Sequence, residues 1–144
     1  MEITISPLQE SDIPDFFEMN NKLNDVDCGT LASMKESLRN NKSELIYIAK
    51  LDEKAIGFIC GQVYSSICYT SNQGEMTELY VREDYRRLGI ATMLVKNLEN
   101  ELINNDVHEI KIITGKKNLS AQQLYEKCGY DYKRRAYFKE FFDK

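Results

Sequence analysis

A β-prone run, a basic turn and an amphipathic helix follow one another between residues 75 and 104, and this succession constrains the fold more than any other part of the chain. Residues 75–81 include Thr, Tyr and Val, which strands favour. Beyond Gly89, apolar side chains recur at intervals of four from Ile90 to Leu102, the spacing of a helix packed on a sheet. We therefore expect a strand that leads through a short turn into a helix, as in α/β folds.

The turn between the predicted strand and helix has the chemistry of an anion-binding site. The first N–H groups of a helix lack intrahelical partners and carry the positive end of its dipole. Gly89 would let this backbone approach a ligand closely, and Arg86 and Arg87 add permanently charged groups that suit phosphate oxygens. These features predict a cradle for a pyrophosphate.

Two motifs carry a family resemblance. The turn reads Arg86-x-x-Gly89-x-Ala91, and a later segment reads Asn118-x-x-Ala121-x-x-Leu124-Tyr125 with Gly129-Tyr130 after it. The first resembles the acetyl-CoA signature of the GNAT family of N-acetyltransferases. The second resembles the motif in which that family presents an Asn and a helical Tyr to its cofactor. The turn lacks the additional glycines of a dinucleotide fingerprint and the Gly-Lys-Ser/Thr ending of a P-loop.

The resemblance implies a fold and an activity. It implies a single α/β domain over residues 1–144, built on a mixed, twisted sheet flanked by helices. It also implies an acyl-CoA-dependent N-acetyltransferase that moves an acetyl group from acetyl-CoA directly to a primary amine. The residues placed against the cofactor by this resemblance are Leu79, Tyr80, Val81, Arg86, Arg87, Leu88, Gly89, Ile90, Ala91, Thr92 and Asn118.

Glu78 is the candidate general base, because it immediately precedes the segment that the resemblance assigns to the pantetheine arm. Strand alternation predicts one face with Met76, Glu78 and Tyr80 and another with Thr77, Leu79 and Val81. A positioned carboxylate can take an ammonium proton directly or through water. The alternatives are a strand-face Glu78 paired with a basic side chain, a base at Glu75, or water alone.

Tyr125 is the candidate general acid for the departing thiolate, since the family motif places a Tyr hydroxyl beside the sulfur. The alternative is a packing role, because Ala121, Leu124, Tyr125 and Cys128 form an apolar stripe at helical spacing. Asn118 could cap the helix, bond the amide groups of the cofactor, or do both.

Composition narrows the class of protein. The net charge of −4 argues against broad nucleic-acid binding, which needs a basic face, and favours cationic partners. Four cysteines and one histidine show no zinc-ligand spacing, so no metal is expected. The cysteines lie in segments that indicate loop, strand, strand and helix, which favours buried thiols. No segment has the apolar length of a membrane helix, and we expect a cytoplasmic protein without a membrane partner.

The sequence does not identify the amine acceptor. We rank a small amine first, polyamine- or aminoglycoside-like, because the chain is acidic and short; the alternative is the N-terminus or a lysine of a protein. In the family the early helical region borders the acceptor site. A different class of function is a non-catalytic module that binds acyl-CoA and regulates a partner. A homodimer is plausible for the family.

The remaining pattern predicts the other elements. Helices are expected from Ile13 and over residues 31–39, and a hairpin is expected over residues 45–67. A polar loop is expected at residues 71–74. After a strand over residues 107–114 and a helix over 120–128, two final strands are expected near residues 130–134 and 136–141.

Overall fold

Five strands form one sheet in the computed structural model, which describes residues 2–142. The strands are β1 (Ile3–Pro7), β2 (Glu44–Leu51), β3 (Lys54–Tyr64), β4 (Asn72–Val81) and β5 (Val107–Ile112). The helices are α1 (Ile13–Leu23), α2 (Leu31–Arg39), α3 (Ile90–Asn104) and α4 (Leu119–Lys127). The predicted mixed sheet with flanking helices is confirmed.

The strands lie in the sheet in the order in which they occur in the chain. Each of the first four is antiparallel to the next, and β5 is parallel to β4. A parallel neighbour requires a crossover connection, which α3 supplies between β4 and β5. The predicted succession of strand, turn, helix and strand is therefore the parallel unit of this fold.

The first two helices cover one face of the sheet. Pro14 lies in the first turn of α1, and Thr30 and Ser33 cap α2 reciprocally, with the Ser33 N–H 3.1 Å from Thr30 Oγ1. On α1, Ile13, Phe16 and Met19 are buried in a core that also contains Ile48 of β2 and Phe58 of β3. The rings of Phe16 and Phe58 meet edge to face, with centroids 4.6 Å apart.

The third helix covers the opposite face. Its residues Leu94, Leu98 and Leu102 are fully buried, as the four-residue spacing predicts. Leu98 packs so closely on Gly61 of β3 that a Cβ at Gly61 would lie 2.9 Å from Leu98 Cδ2. Within residues 1–112 the sheet is thus enclosed between α1 and α2 on one side and α3 on the other.

The chain divides into two compact units, residues 1–112 and residues 113–144. The first contains all five strands, and the second contains α4. In the second unit α4 ends in a left-handed Gly129 with φ +95°, as expected for the residue after a helix.

The two final strands predicted near residues 130–134 and 136–141 are wrong. Within the described part of the chain, residues 130–142 adopt no helix or strand. The aromatic side chains of this segment that are largely exposed are those of Tyr132, Tyr137, Phe138, Phe141 and Phe142. Aromatic residues favour strands only where they pack on a neighbouring strand or face, and composition alone does not supply that neighbour.

Two further predictions are corrected in the sheet region. The polar loop expected at residues 71–74 belongs largely to β4, which begins at Asn72 and pairs with both β3 and β5 there. The strand predicted to continue through Ile67 ends at Tyr64, so Cys68 lies exposed in the following loop. Of the four free thiols, only that of Cys60 is buried.

Among the helices of residues 2–142, none has the length and apolar character needed to cross a bilayer.

Candidate active site

A β-bulge in the middle of β4 sets the directions of its side chains. Glu78 pairs with Cys60 of β3, whereas Met76 pairs with the next residue, Gly61, so that Thr77 is the extra residue. The Thr77 hydroxyl donates a hydrogen bond to the Cys60 carbonyl oxygen over 3.2 Å. The bulge places Met76 and Glu78 on opposite faces, so the predicted uninterrupted alternation is wrong. Side chains of a strand alternate between the two faces, so one inserted residue moves every later side chain to the opposite face.

The second half of β4 has a strand on one side only. The pairing of β4 with β5 ends where Met76 lies opposite Ile112, while β4 continues to Val81. Among residues 2–142, no strand pairs with Leu79–Val81 on the β5 side. This leaves a short open edge at the carboxyl end of β4.

The hydrogen bonds of β4 show which residues face this open edge. The Arg82 N–H donates to the Ile56 carbonyl oxygen of β3 over 2.8 Å. Because backbone groups alternate in direction along a strand, those of Tyr80 also face β3, and those of Leu79 and Val81 face away from it. Leu79 therefore offers its N–H and carbonyl groups, and Val81 its N–H group, to an extended, amide-bearing ligand.

Arg86 is held against the end of this strand. Its Nε donates to the Val81 carbonyl oxygen over 2.8 Å, and its guanidinium carbon lies 5.6 Å from the centroid of the Tyr80 ring. The Tyr80 side chain is itself buried in the core with Phe58. Among the predicted cofactor residues, Tyr80 therefore contributes its ring as a packing surface for the Arg86 guanidinium.

The turn into α3 is shaped for close approach to its backbone. Arg87 and Gly89 both have left-handed backbone conformations, with φ +65° and +81°. Gly89 is the N-cap of α3, and no side chain caps the helix there. Beyond its chain neighbours, a Cβ placed on Gly89 would meet no atom of residues 2–142 within 4 Å, so the space above it is open. The residues present therefore fit the phosphate group that the sequence predicts.

The other predicted cofactor residues of this turn differ in what they can offer. The Leu88 side chain is 60% exposed, whereas that of Ile90 is 1% exposed and belongs to the core. Ala91 and Thr92 are half-buried in the first turn of α3. Ile90 and Ala91 can therefore contribute only backbone N–H groups, while Thr92 also has a hydroxyl.

Glu78 lies half-buried on the face of the sheet that α1 and α2 cover. Asn24, at the end of α1, donates from Nδ2 to Glu78 Oε1 over 3.5 Å. Burial raises the pKa of the Glu78 carboxyl, and the hydrogen bond from Asn24 opposes that shift. A carboxylate with a raised pKa is a stronger proton acceptor, which suits a general base.

Glu75, the alternative base, is engaged elsewhere. Its Oε1 forms an ion pair with Lys111 Nζ at 3.5 Å, across the parallel pairing of β4 and β5. Glu78 takes part in none of the ion pairs formed by the described residues. Glu75 therefore has a cationic partner, whereas Glu78 has the neutral amide of Asn24.

The second unit holds the remaining predicted residues. Asn118 caps α4, because its Oδ1 accepts from the Ala121 N–H over 3.2 Å and from the Ser120 hydroxyl over 3.3 Å. Tyr125 is half-buried on α4, and its ring lies 6.1 Å from that of Tyr130 in an edge-to-face arrangement. The structure thus gives Asn118 its capping role and Tyr125 an aromatic neighbour.

Asn24 and Glu44 lie near Glu78 but could not be identified from the sequence. Asn24, the residue after α1, contacts Glu78. Glu44 is the first residue of β2. Burial, and to a smaller extent the charge of Glu78, raise the pKa of the Glu44 carboxyl. Neither lies in a motif, and both are brought near Glu78 by the fold, Asn24 by the end of α1 and Glu44 by the registers of β2 and β4 with β3.

The family model described as "Acetyltransferase (GNAT) family" matches residues 7–130. The aminoglycoside N(6')-acetyltransferase type 1 of Acinetobacter haemolyticus is 32% identical over 101 residues, which cover 67% of this chain and 69% of that protein. N-acetyltransferase 8 of Homo sapiens is 22% identical over 111 residues, 77% of this chain. The chain spans about half the length of this human relative, 49%.

A solved structure is similar over nearly its whole length. It is that of AAC(6')-Iy in complex with the bisubstrate analogue CoA-S-monomethyl-acetylneamine. The TM-score is 0.86 at 18% sequence identity, with 99% of this chain and 100% of that chain covered. At this identity the likeness shows that the fold is shared.

Proposed function

This chain belongs to the acetyltransferase (GNAT) family, and we propose that it moves the acetyl group of acetyl-CoA directly to a primary amine of a small, polyamine- or aminoglycoside-like molecule. We propose that the whole chain of 144 residues acts as one such domain. The observation that carries the proposal is the open edge of β4, which leads directly into the uncapped, glycine-led start of α3. This succession offers amide partners first and phosphate partners next.

Residues of the β4 edge and of the turn into α3 would bind different parts of the cofactor. Leu79 and Val81 would bond the pantetheine arm as a neighbouring strand would. Arg86, Arg87 and the backbone from Leu88 to Thr92 would hold the pyrophosphate. Bound in this way, acetyl-CoA supplies a thioester carbonyl at a fixed position, and positioning of this kind is worth about 7–11 kcal/mol in well-aligned reactions.

Glu78 would remove the proton from the acceptor. Only a neutral amine has the lone pair that attacks a carbonyl, and most primary amines are protonated at neutral pH. A half-buried carboxylate with a raised pKa and a neutral Asn24 partner can accept that proton. Asn24 would keep the carboxylate oriented toward the acceptor.

Tyr125 would provide the proton for the coenzyme A sulfur. The proposal follows the family motif, in which Asn118 begins the helix and Tyr125 lies two turns later. Asn118, which caps α4, would fix the start of that helix relative to Tyr125. The side chain of Asn118 could also bond a cofactor amide with its remaining N–H donors.

The small-amine acceptor is favoured by two observations. The Acinetobacter relative is an aminoglycoside acetyltransferase, and the AAC(6')-Iy structure contains an acetylneamine analogue. The chain carries a net charge of −4, which attracts polycationic acceptors.

Release of free thiol from acetyl-CoA tests the proposal. We expect turnover with a panel of diamines, polyamines and aminoglycosides, and much less with peptides that offer an N-terminal or lysine amine. A reaction without any amine measures the thiol released by hydrolysis alone. Preferred turnover of peptides would assign a protein acceptor, and acetyl-CoA binding without turnover of any amine would assign a regulatory module.

A further inference from the structure

We propose that Glu44 is a specificity-determining residue whose carboxylate binds a second positive charge on the acceptor, so that the preferred substrate carries two cationic groups. The inference rests on the proposed function in one respect, because it takes Glu78 as the carboxylate beside the attacking amine. Glu44 lies on another strand and belongs to neither motif of the sequence.

The register of the sheet places the two carboxylates on one face. One row across the sheet contains Glu44, Gln62 and Glu75, and the next row on the same face contains Ile46, Cys60 and Glu78. Residues directly opposite each other on neighbouring strands share a face. Glu44 and Glu78 therefore both project on the side where Asn24 ends α1.

The separation suits a small molecule with two charged ends. β2 and β4 lie two strand spacings apart, about 10 Å, and the two rows are about 7 Å apart along the strands. Flexible Glu side chains shorten the distance between the carboxylates. They are electrostatically close, because the charge of Glu78 helps raise the pKa of Glu44, after the larger effect of burial.

The surface between the two charges is apolar. Cys60 lies between Ile46 and Glu78 in its row and is 2% exposed. Ile46 is half-buried and packs against the same core. An aliphatic spacer could lie against the exposed part of Ile46 while its two ends reach Glu44 and Glu78.

Neither carboxylate has a cationic partner in the part of the chain that the structure describes. Of the three glutamates in these two rows, only Glu75 forms an ion pair, with Lys111. The hydrogen-bond partner of Glu78 is the neutral amide of Asn24. Half-buried carboxylates without a counter-charge cost stability, and this cost is offset when a cation binds. A dicationic acceptor supplies both missing charges.

The test compares α,ω-diamines of three to six carbons with n-alkylamines of the same length. The parent, Glu44→Gln and Glu53→Gln are measured for acetyl transfer and, by calorimetry, for amine binding. Glu53 is the control, because it lies exposed in the turn at the other end of the β2–β3 hairpin. We expect the parent to favour the diamine by about tenfold or more, as for a charged hydrogen bond. Glu44→Gln should remove this advantage through KM, with kcat and the KM for acetyl-CoA near the parent values.

A conservative variant distinguishes a charge effect from a packing effect. Glu44→Asp keeps the carboxylate on a shorter side chain, so it should retain the diamine advantage and shift the optimum to a longer diamine. Equal treatment of monoamines and diamines by the parent, or an unchanged advantage in Glu44→Gln, overturns the inference while turnover still supports the proposed function. If no amine is acetylated, the proposed function fails, and calorimetry with the diamines still decides the role of Glu44.

Discussion

Arg86 donates from Nε to the carbonyl oxygen of Val81 over 2.8 Å and so joins the turn before α3 to the strand that precedes it. The same guanidinium lies over the face of Tyr80, at 5.6 Å from the ring centroid. These two contacts use Nε and one face of the guanidinium, and they leave its terminal N–H groups for a phosphate. Arg86 can therefore position the strand end and bind the cofactor at the same time.

We expect Arg86→Lys to weaken acetyl-CoA binding although the charge is kept. A lysine lacks the planar group that can bond Val81 and a phosphate together. Arg86→Glu should weaken binding more, with a smaller loss at high salt because ions screen exposed charges. Calorimetric titration at two salt concentrations measures both effects. Arg39→Gln, which removes an exposed arginine paired with Glu10, should leave the affinity unchanged.

We expect Gly89→Val to weaken acetyl-CoA binding strongly with only a modest loss of fold stability. Its Cβ would meet no atom of the described residues within 4 Å beyond its chain neighbours, but the side chain would occupy the open space above the start of α3. The left-handed backbone of Gly89 adds a cost of about 1–2 kcal/mol for any other residue. Gly129→Val is the matched control, since Gly129 has a similar φ and an equally open Cβ position. If both variants bound acetyl-CoA like the parent, the phosphate role of Gly89 would be wrong.

We expect Glu78→Gln to lower kcat while the affinity for acetyl-CoA stays near that of the parent. Loss of a positioned base typically costs ~10²–10⁴ in rate. In the parent, kcat/KM should fall as the pH drops through a carboxyl pKa that burial raises above its ordinary value. The deficit of the variant should shrink at high pH, where more free amine exists. A deficit of equal size at every pH would indicate a positional role.

We expect Tyr125→Phe to slow the chemical step by roughly 10²–10⁴ at saturating acetyl-CoA. The change keeps the ring that packs edge to face on Tyr130, so the melting temperature should stay close to that of the parent. A thioester analogue whose thiolate leaves without a proton should recover part of the rate. Near-normal turnover of the folded variant would mean that solvent supplies the proton.

We expect Glu44→Gln to raise the melting temperature at neutral pH. The folded pKa of Glu44 is raised by burial and by Glu78, so the native state holds the proton more tightly than the unfolded state. The stability associated with this proton is present in full below the unfolded pKa and is lost as the pH rises through the folded one. The advantage of the variant should therefore vanish toward acid pH. Thermal melts from pH 4 to 8 measure it, and a gap that is independent of pH would contradict this explanation.

The sequence predicted the parts of the fold that depend on local pattern. The four-residue apolar spacing from Ile90 to Leu102 identified α3, and the helix over residues 31–39 has the predicted bounds. The bulge at Thr77 could not be predicted, because it depends on how β4 registers with β3. The placement of Glu44 and Glu78 on one face depends on the registers of β2 and β4 with β3, the strand between them. The predicted final strands failed because strand propensity does not create a partner strand.

For the candidate site, the sequence motifs predicted where the elements lie but not their detailed geometry. The motif around Gly89 located the turn, and the structure adds the left-handed φ and the open space above it. The motif around Tyr125 located α4, and the structure adds the capping bond of Asn118. The edge groups of Leu79 and Val81 follow from strand pairing, which only the fold provides.

The short unpaired stretch of β4 bears on whether this protein stays in solution as separate molecules. An exposed strand edge is a template on which another polypeptide can add, and long open edges promote aggregation. Within the described chain the stretch of β4 without a partner on this side is five residues long, Thr77–Val81, and the Val81 carbonyl oxygen already accepts a hydrogen bond from Arg86. Arg86 thus removes one hydrogen-bond acceptor from the edge on which another strand could add.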